Sequence, residues 1–157
     1  MRTNAPELGA DLLVDFLNTL DVEDDVDTID DGAAFRQWAD AHGVESGERE
    51  GAKRVRDALR AVIDGESASL PPIELETVCG ERSVGLTART AAEAAVASSV
   101  ILSIQGRLDR VKLCGADDCR WAFYDQSRNG SRTWCSMGVC GNRQKARTYR
   151  AKQDEVG

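Results

Sequence analysis

The chain has 157 residues, 41% hydrophobic and 30% charged, enough for one domain with its own core plus a small module. A formal net charge of −7 argues at first against a nucleic-acid partner, because phosphate repels an acidic surface. That average hides an asymmetry: residues 1–109 carry 10 Lys/Arg against 22 Asp/Glu, whereas residues 110–157 carry 10 against 5. A basic tail therefore follows an acidic body. The opening MRTNAPELGAD lacks the basic and apolar regions of an export leader, and the most apolar run, Ala94 to Ile104, is too short to cross a bilayer. A cytoplasmic protein without a membrane partner is expected.

Leu8, Leu12, Leu13, Phe16, Leu17 and Leu20 fit one helical face near the start. The acidic run DVEDDVDTIDD after it reads as a solvated loop. Asp30 or Asp31 caps a short helix through Phe35, Trp38 and Ala41, ended by Gly43. A longer helix from about Glu48 to Asp64 places Ala52, Val55, Leu59, Val62 and Ile63 on one side and sets Lys53, Arg54, Arg56 and Arg60 mostly on a solvated side. After the prolines at 71 and 72, a small hairpin is expected from 73–78 and 83–87, with Cys79 as a small buried hydrophobe. Thr90-Ala91-Ala92-Glu93 has the form of a capping box and opens a buried helix to about Leu108.

Four of the five cysteines lie in the last third, at Cys114, Cys119, Cys135 and Cys140, so the two close pairs enclose four residues each and stand fifteen residues apart. Two knuckles of this kind gather one zinc into a tetrahedron of thiolates, with sulfur about 2.3 Å from the metal. A disulfide or redox role is the competing reading. Reducing conditions disfavour it, and a segment of so few large apolar side chains needs a staple to fold. Four protein ligands leave no position for water, and the single histidine, His42, lies far off in the acidic part. One structural zinc is expected, and no catalytic residue: the sequence shows no nucleophile–base pair, phosphate loop or open metal site, so the chain is read as a non-enzyme.

Between the pairs, Trp121 to Asp125 reads as a strand pairing with Arg110 to Leu113, and Asn129-Gly130 reverses the chain in the block Ser127 to Arg132. Ser136 to Lys152 favours a helix, with Ser136 as its cap and Gly138 and Gly141 weakening its first turn. The fold class is α+β: a mainly helical N-terminal domain with a small β-hairpin, followed by a treble-clef-like zinc finger. The boundary falls between 1–109 and 110–157.

From Cys114 to about Tyr149 the sequence resembles the CGNR zinc finger, a bacterial family named for the motif standing here as Cys140-Gly141-Asn142-Arg143. Phe123, Asp125, the block Ser127 to Arg132 and Trp134-Cys135-Ser136-Met137 share the likeness. In that family the finger usually follows an N-terminal ABATE domain, a module of stress-induced transcriptional regulators. Leu13 to Asp21 (LVDFLNTLD), with Asn18-Thr19, and Trp38 resemble its start. The resemblance implies a DNA-binding transcription factor of the stress response.

Cations from the turn and the last helix supply the expected nucleic-acid surface: Arg128, Arg132, Arg143, Lys145, Arg147, Arg150 and Lys152. Helical phase puts Arg143, Arg147 and Arg150 on one side. Two alternatives stand beside this. Arg128, Asn129, Arg132, Asn142 and Arg143 would brace the zinc loops from within, or the basic finger would dock on the chain's own acidic part. Trp121, Phe123 and Trp134 are read as finger core. Duplex DNA is the expected partner, with RNA or an acidic protein as alternatives; a homodimer and a small-molecule signal for the N-terminal domain are left open.

Overall fold

The computed structural model describes residues 5–157; the first four residues, assigned above to the acidic domain, lie outside them. The first apolar face closes over α1 (Ala10–Leu17), where Leu12, Leu13, Phe16 and Leu17 are all buried. This helix is shorter than its leucine pattern, because Leu20 leaves it to enter a two-residue ribbon, β1 (Leu20–Asp21) against β2 (Val26–Asp27). Asp31 caps α2 (Gly32–Ala41), accepting from the amides of Ala33 and Ala34. Trp38, on that helix, stacks between the rings of Phe35 and His42.

Two expectations fail in this region for one reason. The acidic run is not simply a solvated loop, and the cations of α3 (Arg49–Ile63) do not all face water. Arg56 is 2% exposed and forks onto both carboxylate oxygens of Asp27, at 2.7 and 2.9 Å. Arg60, also buried, donates to the carbonyls of Leu17 (3.0 Å) and Arg120 (2.8 Å). Arg56 and Arg60 continue the stripe begun by Ala52 at i+4 and i+8, so helical phase carries them inward. Their charge is tolerated because each fork finds acceptors. Burial tends to raise the Asp27 carboxyl, but the Arg56 guanidinium outweighs it and holds the pKa below its usual value.

A hairpin of β3 (Glu76–Gly80) and β4 (Ser83–Thr87) follows, turning through Glu81 and Arg82. It stands out from the body with Val78 and Val84 exposed. Cys79 is exposed as well, contrary to its expected burial, because the strand has no layer packed on it. Thr90 and Glu93 form the expected capping box at the start of α4 (Ala91–Ile104). Small side chains let α4 sit centrally: Ala91, Ala94, Ala95 and Ala97 are fully buried, and the helix packs on α1 and α3. It ends before the expected Leu108; Ile104 is 81% exposed, and Leu108–Arg110 form a separate 3-10 turn. No helix among the described residues is long and apolar enough to cross a membrane.

The finger begins with β5 (Val111–Leu113) paired antiparallel to β6 (Ala122–Tyr124). Val111 and Ala122 belong to the body's apolar core, so the hairpin is shared between the two parts. A π-helical turn, Met137–Gly141, leads directly into α5 (Asn142–Val156). Ser136 makes no side-chain cap there, since the wide turn carries the chain straight into the helix. Among the described residues, five α-helices and three small antiparallel ribbons make this an α+β protein ending in a treble-clef-like finger.

Candidate metal centre and nucleic-acid interface

The first knuckle is built by the turn out of β5. The Cys114 amide donates to Trp121 O (2.8 Å), and the amides of Cys119 and Arg120 both donate back to Ala116 O, closing the loop between the two cysteines. Arg120 completes the turn with a left-handed backbone, φ 55°. Bonds on every side hold it there: its guanidinium reaches Cys114 O (3.1 Å) and Asp64 (2.6 Å), and its carbonyl accepts from Arg60. The second knuckle comes from the π-helical turn. At Gly141 a Cβ would lie 3.1 Å from the Trp134 ring and 3.0 Å from the Met137 thioether, so glycine lets the indole close on the turn.

These two turns bring all four predicted ligands together. The sulfurs of Cys114, Cys119, Cys135 and Cys140 lie within 4.8 Å of one another, and Cys119 to Cys135 and Cys135 to Cys140 are 3.6 Å apart. A zinc tetrahedron with bonds of about 2.3 Å puts its sulfurs about 3.8 Å apart, so the cluster has the right size as well as the right chemistry. Burial pushes Cys140 up to about 11 and raises Cys135 further. Burial would raise Cys114 too, but amides of Cys135 and Ala116 directed at its sulfur pull it below the usual thiol value. Four clustered thiols, three of them buried, cannot ionise together without a cation; a divalent metal removes that penalty and takes them as thiolates. The site fits one structural zinc. Cys79 takes no part in it.

A second cluster braces the loop between the knuckles. Asp125 is fully buried and accepts from Lys112 Nζ (2.7 Å) and from the amides of Ser127 and Arg132, both at 2.9 Å. Those contacts overcome the cost of burying it and hold its carboxyl well below the usual range. Lys112 also donates to the carbonyls of Gly130 and Arg132, and Arg110 to that of Ser127. Gly130 supplies the left-handed turn, φ 59°, that lets the loop fold over Arg110. The sequence showed Asp125 and the 127–132 block but not their bond to Lys112, whose cationic side chain on a strand gave the only signal.

The predicted contact residues divide into three groups. Arg132 turns inward, donating to Cys135 O (2.8 Å) and Trp134 O and covering the Phe123 ring at 4.8 Å. Arg143 and Arg147 are half-exposed and pair with Glu23 (2.9 Å) and Asp118 (2.6 Å). Arg128, Lys145, Arg150 and Lys152 are exposed and form no ion pair among the described residues. Of the aromatic residues assigned to the finger core, Phe123 is buried, Trp134 half-buried against the cysteines and Trp121 37% exposed.

Asn18 ties the finger to the body. Its side-chain amide donates to Ala122 O (3.0 Å) and accepts from Ala122 N (2.8 Å), standing in for a further strand beside β6. The neighbouring Thr19 hydroxyl closes α1 on Phe16 O (2.7 Å).

The family model for the CGNR zinc finger matches residues 110–153, and that of ABATE, described as "Putative stress-induced transcription regulator", matches residues 10–110. The chain belongs to the ABATE family and carries a CGNR zinc finger. Within this ABATE chain Asn18 serves the junction with the finger while Thr19 closes α1, and the CGNR residues divide their tasks: Cys140 ligates, Gly141 admits Trp134, Asn142 closes the π turn on Gly138 O (3.2 Å) and Arg143 reaches Glu23. A comparison with curated proteins finds no match.

Proposed function

We propose that the chain is a zinc-dependent, DNA-binding transcriptional regulator in which residues 1–109 sense a signal or mediate association and residues 110–157 contact duplex DNA. One observation carries the reading: the four-cysteine cluster fixes the start of α5, and that helix presents Lys145, Arg150 and Lys152 to solvent, paired to no carboxylate among the described residues. Phosphate contacts need cations in fixed positions, and a zinc-anchored helix supplies them. Arg143 and Arg147 join the contact surface by exchanging exposed carboxylates for phosphate, since exposed pairs are weak. Arg128 adds a cation from the loop, and Arg132 acts by bracing it. The family description, that of a transcription regulator, agrees.

The sensing half is supported by an opening of about 690 Å³ between the body and the finger, lined by Asp11, Asp15, Asp40, His42 and Arg107 of the body and by Tyr124 and Gln126 of the finger. A ligand held there touches both units.

Duplex affinity measured against salt tests the DNA reading. Four to six phosphate contacts give a log–log slope between about −3.5 and −5.5, and Arg128→Ala with Arg150→Ala reduces its magnitude by about 2. A flat dependence sinks it. The two carboxylates already held by α5 arginines favour a second reading, an adaptor for acidic protein. On that reading polyglutamate competes with duplex DNA of equal charge on even terms; on the first it does not.

A further inference from the structure

The side of α5 that turns away from Glu23 and Asp118 is not wholly polar. Gly141, Lys145, Tyr149 and Lys152 face Trp134 across a groove of about 420 Å³, inside the ~300–1,000 Å³ range of ligand pockets. Two of its lining residues are aromatic, Tyr149 standing 65% exposed and Trp134 half-buried, and Gln144 and Thr148 line it beside them. Both rings are held in place. The Tyr149 hydroxyl accepts from Gln153 Nε2 (2.9 Å), while Trp134 packs on the cysteine cluster and lies close over Gly141. Lys145 and Lys152 stand at the groove two turns apart, about 10 Å along the helix, and no carboxylate lines it.

An apolar slot between two rings, with a cation toward each end, matches a flat uncharged group carried between two anions. A nucleotide strand has that pattern: base in the slot, phosphates on either side. Paired bases are stacked inside the duplex and offer no free face to a ring, so the slot is of use only where a base is unpaired or extruded. We propose that this groove seats one unpaired nucleobase of a DNA strand, stacked on Tyr149 and Trp134, with Lys145 and Lys152 on the flanking phosphates. The inference rests on the DNA-binding reading above and adds to it a preference for DNA with an unpaired base.

Fluorescence anisotropy of the full-length, zinc-containing protein tests it with oligonucleotides of equal length: an oligothymidine strand, a fully paired duplex, and that duplex with one unpaired thymine. Tyr149→Ala weakens binding to the strand and the bulged duplex by about tenfold, the loss from removing one stacking partner, and leaves the paired duplex unchanged. Tyr149→Phe, which keeps the ring, binds all three like the parent. Equal loss on all three, or no loss on any, overturns the stacking site while leaving the DNA reading intact. Binding to none of them overturns both. Tighter binding to single-stranded RNA than to the DNA strand overturns the assignment to DNA.

Discussion

In the helical body, buried side chains from α1, α2, α3 and α4 form one continuous apolar cluster, while the finger's own cluster among the described residues is Cys114, Ala116, Cys119 and Cys140, with Trp134 and Cys135 at its edge. The body is held by area removed from water, spread over many residues. The finger is held by a few atoms, and those atoms are thiols whose proximity is unfavourable unless a metal joins them. Yet the two are not independent, because Val111 and Ala122 of the finger hairpin lie in the body's core and Asn18 of the body grips β6. A small module that cannot bury enough surface of its own borrows a metal on one side and a neighbour on the other.

Removing zinc separates the two regimes most sharply. Structural zinc in small finger peptides contributes about 10–16 kcal/mol. A strong chelator is therefore expected to melt residues 114–141 and free α5, while α1 to α4 keep their helical circular dichroism. Native mass spectrometry checks the metal, with one zinc per chain in the parent and none after Cys114→Ser or Cys135→Ser. A full loss of helix on chelation would mean that the body depends on the finger.

Breaking the body calls for a different change. Arg56→Met leaves the Asp27 carboxylate orphaned from its guanidinium, with only Lys53 at 3.6 Å and the Ile29 amide to compensate, and is expected to cost somewhat less than the ~3–5 kcal/mol of a wholly unpaired buried charge in denaturant unfolding, with zinc retained. Adding Asp27→Leu recovers part of that loss, because the orphaned charge goes too. The parent carries the same contact as a pH dependence. Asp27 has a folded pKa below its unfolded value, so its contribution is complete above about pH 4 and lost as pH falls through the folded value. In Asp27→Leu that acid-side slope is reduced.

The smallest expected effect lies at the junction. Asn18→Ala removes both bonds to Ala122 and should cost about 1–3 kcal/mol, the range for leaving a buried backbone group unpaired. Hydrogen exchange at the β6 amides rises ahead of exchange in α4. Uniform loosening of the whole chain would show that no separable junction exists.

Local chemistry made much of this legible in the sequence. The cysteine spacing named the ligands, the Thr90–Glu93 box and the Asp31 cap marked helix starts, and the β5–β6 hairpin followed from two short strand-like segments flanking the first cysteine knuckle. The caps, the hairpin and each cysteine knuckle lie within a few residues of the structure they specify, and the spacing between the two knuckles is itself the signal that joins them. What was missed depends on partners far along the chain. Arg56 looked like part of a solvated face until Asp27, 29 residues away, was folded against it. Arg143 and Arg147 looked alike with Arg150 on the helix, but only the first two meet carboxylates, from Glu23 and Asp118.

By itself, then, the sequence determined the metal and the helices, since thiol chemistry and hydrophobic period act through near neighbours. The tertiary structure alone decided which charges are spent inside the molecule and which side of α5 remains for a partner. A charge is solvated or paired according to what approaches it through space, and residue spacing along the chain does not contain that distance.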